Sequence, residues 1–157
     1  MARVTVRRAR PDELEALLDL WDEMMTYHAR LDRRFMPAAA GRETFRPTLS
    51  GWMASKDCRV LVAASGEQVV EFTVGRIVEN SPVLEPRYYG HVSDICVAPA
   101  WRRLGVGHRL FLALRAWFVK RGLTVLNLNV AARNPVSQAF WHEMGFEDYV
   151  VRVWMDL

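Results

Sequence analysis

The stretch VAPAWRRLGVGHRLFLALRAWF, residues 97–118, combines residue types that can bind an anion. Gly105 and Gly107 open a predicted helix, and Arg102 and Arg103 stand just before them. The first N–H groups of a helix have no acceptor within it, and the helix dipole adds partial positive charge there. Glycines let an anion approach these amides, and arginines add charged donors. The pattern predicts an anion site, although glycines before a helix serve packing alone about as often.

Composition limits the kinds of protein this chain can be. With 157 residues, 51% hydrophobic and 25% charged, it is predicted to form one globular domain over 1–157. Cys58 and Cys96 form no CxxC pair and are predicted to be free thiols, and the histidines show no metal-ligand spacing. The sequence lacks a secretory signal and a membrane span, which predicts a cytoplasmic location without a membrane partner. The net charge of +3 could indicate nucleic acid, but no nucleic-acid motif accompanies it, and a small polyanionic ligand fits the charge equally well, so no nucleic-acid partner is predicted.

The hydrophobic pattern predicts alternating strands and helices in one α/β domain with a mixed sheet. Strands are predicted over 3–9, 58–64, 68–79, 88–98, 123–130 and 147–157. Helices are predicted over 12–30, 42–55, 105–121 and 135–144.

Two segments together resemble the motifs of the GCN5-related N-acetyltransferase (GNAT) superfamily. In ICVAPAWRRLGVGHRL the matching residues are Ile95, Val97, Pro99, Arg102, Gly105 and Gly107. In NPVSQAFWHEMGFE they are Asn134, Phe140, Gly145 and Phe146. Ser137 stands where a small residue is usual, and Trp141 stands where tyrosine is usual. The resemblance covers nearly the whole chain and implies a GNAT-like domain with a mixed, mostly antiparallel sheet flanked by about four helices.

The resemblance implies acetyl-coenzyme A (acetyl-CoA) as cofactor. Its pantetheine arm would run beside a strand that splays away from 123–130, and Asn134 would hydrogen-bond to the arm, with Ser137 and Trp141 adjacent. Asn134 is equally suited to cap the helix that begins at Pro135. The implied contacts with the arm are Ile95, Cys96 and Val97. The implied contacts with the pyrophosphate are Arg102 and the amides of Arg103, Leu104, Gly105, Val106, Gly107 and His108.

Acetyl transfer to an amine needs a base for the ammonium and a donor for the oxyanion. The resemblance implies the N–H near Val97 as that donor and a base six residues earlier, where His91 stands. His91 is the first candidate and Asp94 the second, with a structural histidine and an ion-paired aspartate as the alternatives. Strand alternation places Asp94 and Cys96 on the face opposite His91 unless a bulge intervenes, which argues against Cys96 as a nucleophile.

The leaving thiolate also needs a proton, and here the sequence departs from the family pattern. The indole N–H of Trp141 is not a practical acid. Either Tyr88, Tyr89, Tyr149 or solvent then supplies the proton, or the reaction is slow.

The acceptor amine is expected to bind between the first helix, the 31–41 loop and the 80–90 loop. Candidate substrate contacts are Tyr27, His28 and Glu71, although His28 also suits a core position and Glu71 a solvent-facing one. Three acidic residues could attract a cationic amine or form a solvated helix face. These are Asp22, Glu23 and Asp32.

The function that these features favour is transfer of acetyl from acetyl-CoA to a primary amine by direct attack in a ternary complex. The acceptor could be a small metabolite, an aminoglycoside-like amine or a peptide amine. A non-catalytic acyl-CoA sensor is the alternative, which Trp141 favours, and a nucleic-acid binder rests only on the pI of 9.2. The apolar segment YVVRVWMDL further predicts a homodimer.

Overall fold

The computed structural model describes residues 4–157, so the predicted start of the first strand at residue 3 lies outside the described residues. One sheet has the strand order β1-β2-β3-β4-β5. All neighbouring strands are antiparallel except β4 and β5, which are parallel. The prediction of a mixed, mostly antiparallel sheet is therefore confirmed. The strands are β1 (Val4–Arg8), β2 (Cys58–Ser65), β3 (Gln68–Glu79), β4 (Tyr88–Val97) and β5 (Leu126–Leu128).

Four α-helices accompany the sheet, as the fold prediction requires. They are α1 (Leu14–Leu31), α2 (Gly41–Ala54), α3 (Val106–Lys120) and α4 (Pro135–Glu143). Short 3-10 turns form at Pro11–Glu13, Arg33–Phe35 and Pro99–Trp101. Gly122 follows α3 with a φ of +78°, a left-handed conformation that glycine adopts without strain and that commonly ends helices. Within residues 4–157, no helix has the length and apolar character needed to cross a bilayer.

The two faces of the sheet carry separate cores. On one face α1 and α2 pack against the strands, burying residues such as Leu17, Trp21 and Phe72. On the other face α3 packs against the sheet through Leu110, Leu114 and Phe118. Gly75 and Gly90 permit this close approach, because a Cβ at either position would lie 2.7 Å from the Phe118 ring. The face of the sheet on which a strand residue lies therefore decides which helices its side chain can contact.

A bulge interrupts the alternation of β4. Val74 pairs with Asp94 and Gly75 with Val92, so Ser93 has no partner on β3. The directions of the backbone N–H groups agree with a bulge. Gly90 and Ala98 are an even number of residues apart, so both would donate to the same side of a regular strand, but Gly90 donates toward β5 and Ala98 toward β3. The extra residue turns His91, Asp94 and Cys96 to the same face, the one covered by α1 and α2. The prediction that Asp94 and Cys96 lie opposite His91 is wrong for this reason.

Two predicted strands differ from the structure. The strand predicted over 123–130 is reduced to β5, Leu126–Leu128. The strand predicted over 147–157 is absent, and its apolar side chains, including Val151 and Trp154, are exposed. Alternating apolar residues form a strand only beside a partner, and within residues 4–157 this segment pairs with none.

Candidate active site

A gap opens between β4 and β5. Their pairing ends at Val92 and Leu128, whereas β4 continues to Val97 along β3. The amide of Ala98 donates to Val70 on β3 over 2.9 Å. Because successive N–H groups of a strand point to opposite sides, the Val97 N–H points into the gap. The splay that a pantetheine arm requires is thus present, with a donor directed into it.

The loop before α3 exposes a row of amides beside this gap. The first hydrogen bond of α3 runs from the Arg109 amide to the Gly105 carbonyl, 3.2 Å, so the amides of 106–108 have no acceptor within the helix. Gly105 has a φ of +74°, and a Cβ there would meet nothing within 4 Å. Arg103 also has a positive φ, 61°. Consecutive unpaired amides with open space beside Gly105 form a concave site for an anion.

Gly107 has a different role from Gly105. A Cβ at Gly107 would lie 3.0 Å from Glu71 Oε1, with Phe140 and Ile95 within 4 Å. That position faces the interior, so Gly107 is required by packing and not by access for an anion. Of the two alternatives that the sequence left open, Gly105 fits access for an anion and Gly107 fits packing.

Arg102 joins the end of β4 to the end of α1. Its Nε donates to the Val97 carbonyl over 3.2 Å, and its guanidinium lies 5.2 Å from the centre of the Tyr27 ring. Arg102 remains exposed, directly before the loop that carries the free amides. This arrangement brings Tyr27, a predicted substrate contact, to the edge of the anion site.

Asn134 connects α4 with α1. Its Oδ1 accepts from the Ser137 amide over 3.1 Å, so the predicted cap is present. Its Nδ2 lies 3.4 Å from Nε2 of His28. Nδ1 of His28 lies 2.9 Å from the Met24 carbonyl, which can only accept, so Nδ1 carries the proton and Nε2 is the acceptor. The Asn134 amide has a second N–H besides the one directed at His28.

His91 is held by a side chain that the sequence analysis missed. Nδ1 of His91 lies 2.6 Å from Oδ1 of Asn127, its neighbour on β5. Because the amide oxygen accepts, Nδ1 carries the proton and the Nε2 lone pair is free. Burial lowers the pKa of His91 below its ordinary value, so the ring is neutral at pH 7. A polar residue alternating with leucines in LNLNV was the only sequence signal for Asn127.

Asp94 lies beyond the last β4–β5 pair, beside the gap. Burial raises the pKa of its carboxyl to about 6, while the charge of Arg76 acts in the opposite direction. Arg76, also missed from the sequence, donates from Nε to Ser93 Oγ over 2.6 Å and lies 5.1 Å from the Trp52 ring centre. At neutral pH Asp94 is therefore an ionised carboxylate whose affinity for a proton is higher than usual.

Cys96 shares the face of Asp94 but is not suited to nucleophilic chemistry. Its side chain is 1% exposed, and its Sγ lies 3.2 Å from the Met24 sulfur. Burial raises the pKa of the thiol well above its ordinary value, which suppresses the reactive thiolate. The argument from the sequence against Cys96 as a nucleophile therefore holds, but because the thiol is buried and not because of strand alternation.

Trp141 belongs to the core and not to an open surface. It is 4% exposed and packs edge-on against Phe111 and Phe146, each at 5.4 Å between ring centres. These contacts assign Trp141 to core packing, and its place beside the cofactor arm stays a prediction. Two of the three tyrosine candidates are also remote. Tyr88 and Tyr89 begin β4, roughly 25–30 Å along the strand from Val97, and Tyr149 is exposed in the C-terminal segment.

Glu71 does not face solvent. It has no exposed surface and lies on the α3 face of β3, opposite His91 and Asp94. Its two carboxyl oxygens have no hydrogen-bond partner among the described residues. Burial raises the pKa of Glu71 to about 8. The solvent-facing alternative for this residue is therefore wrong, and its burial argues against a contact with the acceptor amine.

Two of the three acidic candidates near α1, Asp22 and Asp32, are engaged in ion pairs, whereas Glu23 is exposed. Asp22 bonds to Arg42, and Asp32 accepts from Nε of Arg34 over 2.8 Å. The Arg34 contact holds the pKa of Asp32 well below its usual range. Paired in this way, Asp22 and Asp32 do not form an open acidic surface.

Comparisons with known proteins agree with this geometry. The family model of the acetyltransferase (GNAT) family matches residues 15–146. A mutant of the BH1408 protein from Bacillus halodurans has a TM-score of 0.87 at 17% identity, covering 98% of this chain and 99% of its own. Aminoglycoside N-acetyltransferase AAC(6')-Iy in complex with CoA has a TM-score of 0.77 at 15% identity, covering 100% and 96%. AAC(6')-IG from Acinetobacter haemolyticus has a TM-score of 0.76 at 20% identity, covering 98% and 97%.

These findings confirm the predicted resemblance, with acetyl-CoA as the cofactor and N-acetyl transfer as the enzyme class. The chain belongs to the acetyltransferase (GNAT) family.

Proposed function

We propose that the protein transfers acetyl from acetyl-CoA to a small-molecule primary amine by direct attack, without a covalent enzyme intermediate. The observation that carries this proposal is the splayed end of β4. There the Val97 N–H points into the gap, and the carboxylate of Asp94 stands three residues before it. A donor for an oxyanion and a base for an ammonium thus lie on one short segment. The test is release of CoA thiol on incubation with a library of amines.

Asp94 is the better placed of the two candidate bases. It lies where β4 has separated from β5, whereas His91 lies within the paired part, opposite Asn127. Its pKa of about 6 leaves it ionised at neutral pH yet basic enough to receive a proton from an ammonium. His91, neutral and with a free Nε2, is the second candidate and could act through a water.

The remaining steps use the main chain and solvent. The Val97 N–H stabilises negative charge on the carbonyl oxygen during attack. A thiolate leaving group has a pKa near that of cysteine, about 8.5, so it departs without a strong acid. With Trp141 buried and Tyr88 and Tyr89 remote, we propose that solvent protonates the thiolate.

The likeness to aminoglycoside N-acetyltransferases supports a small-molecule amine as acceptor. AAC(6')-Iy has been crystallised with a bisubstrate analogue, CoA-S-monomethyl-acetylneamine, in which CoA is joined to an acetylated aminoglycoside fragment. In the present chain Asp22 and Asp32 are neutralised by arginines, which argues against strong attraction of a polycation. A screen should therefore compare monoamines with aminoglycosides.

Replacing Arg102 by alanine is expected to weaken acetyl-CoA binding roughly 3- to 10-fold, because a phosphate loses an exposed charged donor. Calorimetry measures this directly. Arg115→Ala is the matched control, since Arg115 is an exposed arginine further along α3 and should leave the dissociation constant within about twofold. Equal effects of the two changes would remove Arg102 from the anion site.

We propose a homodimer formed through the C-terminal segment, residues 147–157. This segment exposes its apolar side chains and has no strand partner among residues 4–157. Contiguous exposed apolar residues mark interaction surfaces. Light scattering at micromolar concentration is expected to give a dimer mass, and a chain ending at Phe146 a monomer mass. A monomeric full-length protein would refute the proposal.

A cytoplasmic location, without nucleic-acid or membrane partners, stays a prediction. Its support is that Cys58 and Cys96 are both free thiols, as in proteins of reducing compartments.

A further inference from the structure

Glu71 lies beneath the first turn of α3, on the inner side of the proposed anion site. Its Oε1 is 3.0 Å from the position of a Cβ on Gly107. The same position is 3.7 Å from Phe140 and 3.8 Å from Ile95, so the surroundings are apolar. Both carboxyl oxygens are buried and unpartnered among residues 4–157. A group of this kind is costly to bury and calls for an explanation.

No neighbouring element offers Glu71 a compensating charge within the described chain. Ala63 on β2 and Val97 on β4 flank it and are apolar. Asp94 and Cys96 lie on the other face of β4, and Glu71 itself helps to raise the pKa of Cys96. The remaining charged groups of the packed elements have other partners or are exposed. Arg102 bonds to the Val97 carbonyl, Arg109 bonds to the Val4 carbonyl, and His142 bonds to Asp148. Arg103 and His108 are exposed.

We propose that Glu71 is a positioning residue for the cofactor: acetyl-CoA binds the form of the protein in which Glu71 carries a proton. This inference rests on the proposed placement of the pyrophosphate on the amides before and within the first turn of α3. A carboxylate below that turn and a pyrophosphate above it would place two anions on one helix N-terminus, with a thin apolar layer between them. Proton uptake by Glu71 removes this repulsion, whereas the ionised form opposes binding.

The geometry leads to a quantitative expectation. Burial raises the pKa of Glu71 to about 8, so the protein is ready to bind at neutral pH without taking up a proton. Above this pKa, binding must be accompanied by uptake of one proton. The dissociation constant should then rise up to tenfold for each pH unit, the slope for linkage to one proton.

Calorimetric titration of the full-length protein with acetyl-CoA between pH 6.5 and 9.5, in buffers of different ionisation enthalpy, tests this expectation. The wild type should show proton uptake that grows from near zero toward one, with weakening affinity. Glu71→Gln has the shape of the protonated acid, so it should keep the neutral-pH affinity and lose both effects. Glu67→Gln, at an exposed turn, is the matched control and should behave as wild type.

Each other outcome has a distinct meaning. Equal pH dependence of wild type and Glu71→Gln would overturn the inference, and so would absence of proton uptake by the wild type at alkaline pH. The wild-type measurement stands even if the variant fails to fold. Failure of the wild type to bind acetyl-CoA at pH 6.5 would instead refute the proposed function.

Discussion

Asp94→Asn is expected to lower kcat for amine acetylation by roughly 10²- to 10⁴-fold, the usual contribution of a general base. Asparagine preserves the shape of the side chain but cannot accept a proton from the ammonium. Acetyl-CoA affinity should stay within about twofold of wild type, because the carboxylate faces α1 and α2 and not the loop before α3. Steady-state kinetics with saturating acetyl-CoA measures the loss, and calorimetry measures the retained affinity.

The pH profile distinguishes Asp94 from His91. With a pKa of about 6, Asp94 becomes protonated as the pH falls, so wild-type kcat should decline below about pH 6. Asp94→Asn should abolish this acid limb, while His91→Gln should retain it. Glu79→Gln, an exposed carboxylate paired with Arg87, serves as a control for the change of charge. A limb that survives in Asp94→Asn but disappears in His91→Gln would assign the base to His91.

The second large effect concerns stability in the absence of cofactor. The unfolded chain releases the Glu71 proton near pH 4.5, whereas the folded protein holds it to about pH 8. Between these values the folded state binds more protons, so rising pH lowers the free energy of unfolding, by about 1.4 kcal/mol per unit. The stabilisation from this group is fully present below pH 4.5 and is lost by the time the pH passes about 8.

Glu71→Gln removes this dependence because glutamine stays neutral. The variant should gain about 1.4 kcal/mol over wild type for each unit between pH 6.5 and 8, and the difference should level off above that range. Urea unfolding at several pH values measures it. Asp94 is already ionised through most of this window, so it adds little to the slope. A difference between the proteins that stays constant with pH would contradict the expectation.

Much of the fold was predictable from local pattern. The apolar positions of α1 and α3 recur at helical spacing, and each helix buries that face. The motif residues also predicted the loop before α3 and the cap at Asn134. In these cases the residues of one short segment determine its local structure.

The unpredicted features depend on partners that are distant in sequence. The direction of Gly107 became clear only from Glu71 beneath it, 36 residues earlier in the chain. The hydrogen bond between His91 and Asn127 arises from the parallel pairing of β4 and β5. The segment 147–157 has the pattern of a strand, but a strand forms only where another lies beside it. Local pattern alone could not supply these relations.

The bulge at Ser93 has a consequence for comparing relatives of this protein. A chain one residue shorter at this point would turn His91 toward α3 and into an apolar core, while Asp94 kept its place relative to Val97. Insertions and deletions within β4 should therefore be rare unless a compensating change occurs in β3. Counting residues back from the valine of the motif is thus an unsafe way to align catalytic groups, and the face of the strand is the property to compare.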